Sequence, residues 1–399
     1  MSGPLTGVRI LDLTTVVMGP FATQLLGDLG AAVIKVEPPE GDNTRHLAPM
    51  RNPGMGAIFL HMNRNKRSIV LDLKKPAGHD ALLRLARKAD VLVYNTRPQA
   101  MARLRLAYAD LCAVNARIIY VGAFGFDQRG PYAARPAYDD LIQGAVGLPS
   151  LLMRTGASSP RYVPATVCDR VVGQATANAI LAALFHRERT GVGQAVDVPM
   201  FETMTQFVLG DHFGGRTFDP PLGEPGYARV LAKFRAPYAT ADGHICALIY
   251  NDKQWKSFLT LIGKPELFAT DERFNSHVNR ALRIEEVYAF VAGELRQRTT
   301  TEWKHLLTEG DIPWAPMNSL NDLIDDPHLA ATGFFVHVEH PSEGALLTTG
   351  VPTHWSASQP EPQCHAPRLG EHSAEVLREA GYTEAEIQAM ANDRVTVLG

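Results

Sequence analysis

A surplus of either charge is missing from this sequence. Its 399 residues carry 39 Lys plus Arg against 42 Asp plus Glu, a net of −3. That balance argues against nucleic acid or an anionic membrane as the main partner, because both are bound through a basic excess. Long apolar runs are absent too, with nothing approaching the ~20 residues a membrane span needs. The first residues lack the apolar core of a secretory signal. Cysteine is scarce: Cys112, Cys168, Cys246 and Cys364 stand far apart with no Cys-x-x-Cys pair. This excludes the common zinc and dithiol spacings and suits a reducing cytoplasm. No Gly-x-Gly-x-x-Gly fingerprint, Walker loop, Gly-x-Ser-x-Gly elbow or His-Glu-x-x-His pair occurs. Gly191-Val192-Gly193 follows a helical pattern and precedes a strand, the reverse of phosphate-binding order, and reads as a turn. No metal site is expected.

What is present is an alternation of strand and helix. With 45% hydrophobic residues, the chain can bury a large core. Residues 8–13 read as a strand, Gly19-Pro20 opens a helix with Phe21, Leu25, Leu26 and Leu29 on one face, and 32–37 is the next strand. Two strands joined by one helix make a parallel crossover unit. The pattern continues with strands over 68–73, 89–94 and 116–122 and helices over 78–88 and 99–104. Residues 138–190 are mainly helical, and a strand over 194–198 precedes a helix from about Met200. The Gly- and Pro-rich stretch 214–226 reads as a linker. A smaller α/β domain over 227–328 follows, with strands at 234–238 and 244–250 and helices at 252–262, 280–298 and 301–309. Three short β-like pieces, a Pro-rich link over 359–367 and a Thr383-x-x-Glu386 capping box complete the chain. Trp255, Trp303, Trp314 and Trp355 read as core or hinge packing.

Ligand sites in open α/β sheets lie beyond the carboxyl ends of the strands, here the loops at 14–19, 95–98 and 122–130. Asp169 precedes the apolar face of a long helix. Local sequence favours an N-cap, and the position is also compatible with a carboxylate nucleophile whose helix N-terminus would stabilise a neighbouring oxyanion. Spacing does not choose between the two. The basic residues of 63–68, with Lys74, Lys75, Arg97 and Arg103, are either solvated surface charges or parts of one phosphate pocket.

In order along the chain stand Leu5-Thr6-Gly7-Val8-Arg9-Ile10-Leu11-Asp12, Gly19-Pro20-Phe21, the run 30–37, the run 63–68 and Ala137-Tyr138-Asp139. The run 179–194, Ile312-Pro313-Trp314-Ala315-Pro316 and Ala366-Pro367-Arg368-Leu369-Gly370-Glu371 follow. This succession resembles the family III CoA-transferases, with the related α-methylacyl-CoA racemases. The resemblance implies an α/β fold: a large Rossmann-like domain built from 1–213 and 329–399, a smaller middle domain, and two copies interlocked as a homodimer. It implies transfer of CoA from an acyl-CoA to a carboxylic acid through a covalent intermediate on Asp169. CoA is then a substrate and no permanently bound cofactor is needed. Family CoA contacts carry over to Val17, Met18, Leu71, Asp72, Leu73, Lys74, Asn95, Thr96, Arg97, Arg103, Ala137 and Tyr138.

Three departures from formyl-CoA transferases stand out, the first and third of them at the acyl site. They have glutamine at the position of Val17, arginine at Pro38 and four glycines at about Leu248-Ile249-Tyr250-Asn251, so a larger dicarboxylic or branched acid is expected here. The alternative activity, α-epimerisation of an acyl-CoA, needs a second acid/base. The racemases place a histidine there, whereas this chain has Tyr138, a phenol that ordinarily titrates near ~10.

Overall fold

Every strand pairing in the central sheet is parallel. Its strands are β1 (Arg9–Leu13), β2 (Ala32–Glu37), β3 (Lys66–Val70), β4 (Val91–Tyr94), β5 (Ile119–Phe124) and β6 (Ala195–Pro199). They run in the order β3-β2-β1-β4-β5-β6. The structure, a computed structural model, describes residues 3–399. Ile10, Leu11, Val33, Ile34, Leu92 and Val93 are all buried. Such near-continuous apolar strands are what a parallel sheet covered on both faces requires. Strand order reverses between β1 and β4, which makes the crevice beyond their carboxyl ends the topological switch point.

The helices through the first half are α1 (Met18–Asp28), α2 (Ala57–Met62), α3 (Pro76–Ala86), α4 (Pro98–Arg103), α5 (Tyr108–Val114), α6 (Asp139–Ala145), α7 (Leu148–Arg154) and α8 (Val167–Thr190). Helix α8 packs on α1 so closely that a Cβ at Gly173 would sit 2.8 Å from the Met18 carbonyl oxygen. It ends at Gly191, whose φ of 77° is left-handed and whose N–H donates to the Arg187 carbonyl.

Two compact units emerge: Met1–Val146 with Val163–Gln206 and Pro327–Gly399, and Gly147–Tyr162 with Phe207–Asp326. The second unit holds a three-stranded antiparallel sheet (Tyr238–Ala239, His244–Ala247 and Trp314–Pro316). Its core stacks Trp255 on Phe274 at 5.1 Å and Phe258 on Trp303 at 6.2 Å between ring centroids. Trp303 is core, as expected, and donates its indole N–H to Leu295, but Trp355 is 42% exposed.

Several expectations shift. The strand expected over 68–73 begins at Lys66, because Lys66 and Arg67 enter the sheet as charged residues and so escape an apolar pattern. The helix expected over 280–298 is two helices, His277–Leu282 and Ile284–Leu295, broken at Arg283. The three β-like pieces are one hairpin, Phe335–His340 with Gly344–Thr349. Segment 147–162, assigned by sequence to the large domain, lies in the second unit, where Arg154 donates to the Pro225 carbonyl at 3.2 Å. The Thr383 capping box is present, with Glu386 accepting from the Thr383 N–H at 2.7 Å.

Under the carboxyl edge lies a buried ionic network. Asp12 accepts from Lys66 at 2.9 Å and from the hydroxyls of Thr14 at 2.5 Å and Thr23 at 2.7 Å. Lys35 donates to Asp42 at 2.9 Å and to the Thr14 carbonyl at 2.8 Å. Arg45 grips Glu37 through two hydrogen bonds, at 2.8 and 2.7 Å, and lies over the Phe59 ring. All six charged side chains are at most 1% exposed. Burial alone would push the Asp12 proton on, but Lys66, Lys35 and the two hydroxyls outweigh it and hold the carboxyl well below its ordinary range. Removing one member of such a pair strands a charge in the interior. Lys66→Met is therefore expected to cost about 3–5 kcal/mol in urea unfolding. A loss below about 1 kcal/mol would show that the network is not under tension.

Candidate functional site

The loop after β1 is held in an unusual conformation. Val16 has φ of 71°, a left-handed backbone that a β-branched residue rarely adopts. Its N–H donates to Asp42 at 3.2 Å, while the Thr15 N–H donates to Asn95 at 3.0 Å and the Asn95 amide returns a bond to the Thr15 carbonyl at 2.7 Å. The loops after β1 and β4 are thus stitched together across the switch point. Such strain costs roughly 1–3 kcal/mol and persists only where neighbours over-determine it. Val17 is buried at the cap of α1, and Met18 is its first residue.

Asp169 is not the N-cap of α8. Thr166 takes that position, so the helix starts earlier than the apolar pattern indicates and Asp169 sits in the first turn. Its N–H donates to Asp139 at 2.9 Å and is therefore already engaged, not free for an oxyanion. Asp139, 7% exposed at the start of α6, also accepts from Gln143 at 2.6 Å. Gln143 in turn accepts from the Val163 N–H at 2.9 Å and donates to the Ala165 carbonyl at 3.2 Å. This Asp139–Gln143 clamp fixes the segment leading into α8. Sequence reasoning missed it, although the i, i+4 polar pair on a short helix was a visible signal.

The Asp169 side chain is half-buried. Among the described residues, none gives its carboxylate a hydrogen bond or an ion pair. Burial, and then the charge of Asp139, push its pKa up to about 7, with Arg170 pulling the other way. Arg170 lies over the Phe21 ring of α1, 4.6 Å from its centre, so the first turns of α1 and α8 form one packed corner. A desolvated carboxylate beside a helix N-terminus is a competent nucleophile once ionised.

Among the other expected site residues, those directly following β3 and β4 stand on the carboxyl edge of the sheet. Leu71, Asp72, Leu73 and Lys74 follow β3, with the Leu71 N–H on the Glu37 carbonyl at 2.9 Å and the Asp72 N–H on the Val395 carbonyl at 2.8 Å. Asn95, Thr96 and Arg97 follow β4, and Arg97 approaches the Ala134 carbonyl at 3.5 Å, near Ala137 and Tyr138 in sequence. Lys74, Thr96, Arg97 and Arg103 are exposed, as is Tyr138 at 66%. Arg103 stands in the last turn of α4, and among the described residues its side chain forms no hydrogen bond or ion pair with the rest of the group.

Comparison with known proteins identifies the family of the chain. The sequence profile of CoA-transferase family III matches residues 5–373. A formyl-CoA:oxalate CoA-transferase of Escherichia coli is 35% identical, over 98% of this chain and 99% of its own length, and one from Shigella sonnei matches equally. A CAIB/BAIF family protein from Brucella suis superposes with a TM-score of 0.79 at 30% identity, over 95% of this chain and all of its own. The Mycobacterium tuberculosis protein Rv3272 gives a TM-score of 0.79 at 31% identity, over 94% of this chain and 99% of its own.

The environment of Asp169 sets a titration that can be read directly. Its carboxyl carbon, followed by 13C NMR, should titrate with a midpoint near 7. Asp139→Asn removes a repelling charge and moves the midpoint down; Arg170→Gln removes an attracting one and moves it up. Because the folded pKa is raised, this group's contribution to stability is present at low pH and lost as pH rises through about 7. Asp169→Asn should therefore melt above the parent protein at pH ~8 and match it at pH ~4. A midpoint in the ordinary carboxylate range would contradict the desolvated site.

Proposed function

The chain belongs to CoA-transferase family III, and from that membership we propose that it carries CoA between two carboxylic acids on the side chain of Asp169. The observation that carries the proposal is the half-buried carboxylate, without a hydrogen-bond or ion-pair partner among the described residues, set in the corner between α1 and α8. The ionised carboxylate attacks the thioester carbonyl of the donor, giving a mixed anhydride and CoA thiolate. The thiolate attacks the aspartyl carbonyl, forming an aspartyl thioester and expelling the donor acid as its carboxylate. The acceptor carboxylate then displaces the thiolate as a second anhydride. Thiolate attack on the acceptor carbonyl releases the new acyl-CoA and restores Asp169. No proton is consumed, and one hard exchange becomes four easier ones.

Lys74, Arg97 and Arg103 are assigned to the phosphates of CoA, a role that their exposure on the carboxyl edge permits. Val17, Met18, Asn95, Thr96, Ala137 and Tyr138 border the pantetheine and thioester, and Leu71, Asp72 and Leu73 shape the path between. The relatives' names point to formyl-CoA and oxalate, but Val17 offers no amide to a small polar acid. In the second unit the expected tetraglycine position ends in a fixed cap, Asn251 accepting from the Gln254 N–H at 2.9 Å. A bulkier dicarboxylic or branched acid fits this chain better. Epimerisation is disfavoured because Tyr138 is the N-cap residue of α6 and a phenol is a poor base near neutral pH. We assign the active form as an interlocked homodimer in the cytoplasm, where four free cysteines are at home.

Trapping tests the chemistry. After incubation with an acyl-CoA the protein catalyses, hydroxylamine should leave a hydroxamate on Asp169, seen as a mass shift of its peptide. Asp169→Asn should lose activity by at least ~10⁴-fold while still binding CoA. An active enzyme with Asp169 unmodified would sink the proposal.

A further inference from the structure

At the opposite edge of the sheet, where β1, β2 and β3 begin, lies a cavity of about 530 Å³ contained in the first unit. That volume falls within the range of about 300–1,000 Å³ typical of small-molecule sites. Leu11 and Ile34 of the sheet and Leu85 of α3 give it an apolar floor. Small residues keep it open, among them Gly27 at the end of α1, Ala31 before β2 and Ala89 after α3. Ala380 stands beside them, half-exposed. A polar lining would favour water, but an apolar hollow of this size gains most from an apolar occupant.

Its rim is cationic. Arg9, Arg67, Arg84 and Lys88 all line the cavity. Arg67 is neutralised by Glu375 at 2.5 Å and Glu379 at 2.6 Å, and Arg84 by Asp80 at 2.9 Å. Arg9 and Lys88 differ: both are exposed, and among the described residues neither forms an ion pair. The Lys88 amine donates to the Glu379 carbonyl at 2.9 Å. Both cations nevertheless act on the Glu379 carboxylate. Arg67 and Arg84 are thus matched by Glu375, Glu379 and Asp80, and Arg9 and Lys88 add two exposed positive charges beside Glu379.

We propose that this cavity is a second ligand site, separate from the Asp169 corner, for a molecule with an apolar body and an anionic head held by Arg9 and Lys88. Asn65 and Gln363 add polar groups to the lining, but the Asn65 amide is already spent on Asp28 and on the backbone of Gln363 and Cys364 and the Lys66 amine on Asp12, so an apolar body fits better than a sugar or nucleotide. Two head groups share this chemistry, a carboxylate and a phosphate monoester.

Calorimetric titration of the full chain, saturated with CoA to close the phosphate-binding edge, distinguishes them with decanoate, decyl phosphate and decanol as probes. One anionic probe should bind per chain, and the tighter of the two identifies the head. Decanol should bind roughly ten-fold more weakly or worse, since it lacks the charge. Arg9→Gln with Lys88→Gln should bring the anion down to decanol's level, and Ala380→Trp should abolish all binding by filling the mouth. Melting temperature and CoA affinity serve as folding controls. If Ala380→Trp fails to fold, the Arg9 and Lys88 variants, altered only at exposed side chains, still decide. Absence of binding to the CoA-saturated protein overturns the site, as does equal binding of decanol, or anion affinity unchanged in the double variant.

Discussion

Asp12, Lys35, Asp42 and Lys66 sit beneath the carboxyl edge of the sheet with almost no access to water, and the loop that follows β1 is built on them. Charges in such a place hold together only when each finds its counter-charge and its hydrogen bonds. Lys35 reaches the Thr14 carbonyl and Asp42 the Val16 N–H, so the same groups that neutralise one another also fix the backbone above. The strained φ of Val16 is a consequence. With Asn95 added from β4, the backbone leading into α1 has little freedom left. An apolar core would have been cheaper, but it would not have specified the position of a loop.

That loop and Asp169 come together through packing between helices. Gly173 lets α8 approach the Met18 carbonyl, and Arg170 covers Phe21. From the other side, Asp139 takes the Asp169 N–H. The Asp169 backbone is thus fixed, while among the described residues no hydrogen bond or ion pair engages its carboxylate. Desolvation would strengthen any interaction the ionised carboxylate makes, but it disfavours ionisation itself. Arg170 moderates the conflict.

The sheet was legible because its strands are aliphatic and its helices are bounded by Gly and Pro, signals that depend on local chemistry. Strands β1 and β2 lie almost where the pattern puts them. Strand β3 does not, since Lys66 and Arg67 look like a solvated turn until Asp12 is known to lie opposite. Asp169 resembled a cap because the apolar face of α8 begins after it, whereas the helical backbone begins at Val167. Its clamp, Asp139 and Gln143, depends on residues some 20 to 30 positions apart. The Asp139–Gln143 spacing was visible on its helix, but its bonds to Val163 and Asp169 leave no local trace. Segment 147–162 joins the second unit through long-range contacts of the same kind.

One further feature bears on how the molecule is made. Beyond β2, the free side of β3 is covered from the far end of the sequence: the His372 N–H meets the Ser68 carbonyl at 2.9 Å, and the Thr396 hydroxyl meets the Val70 carbonyl at 2.7 Å. An unpaired strand edge is a template for association with other chains. During synthesis β3 leaves the ribosome some 300 residues before its cover, and throughout that interval the border stays open. Premature termination would leave it open permanently, so nascent and truncated chains are the forms in which this protein most needs a chaperone.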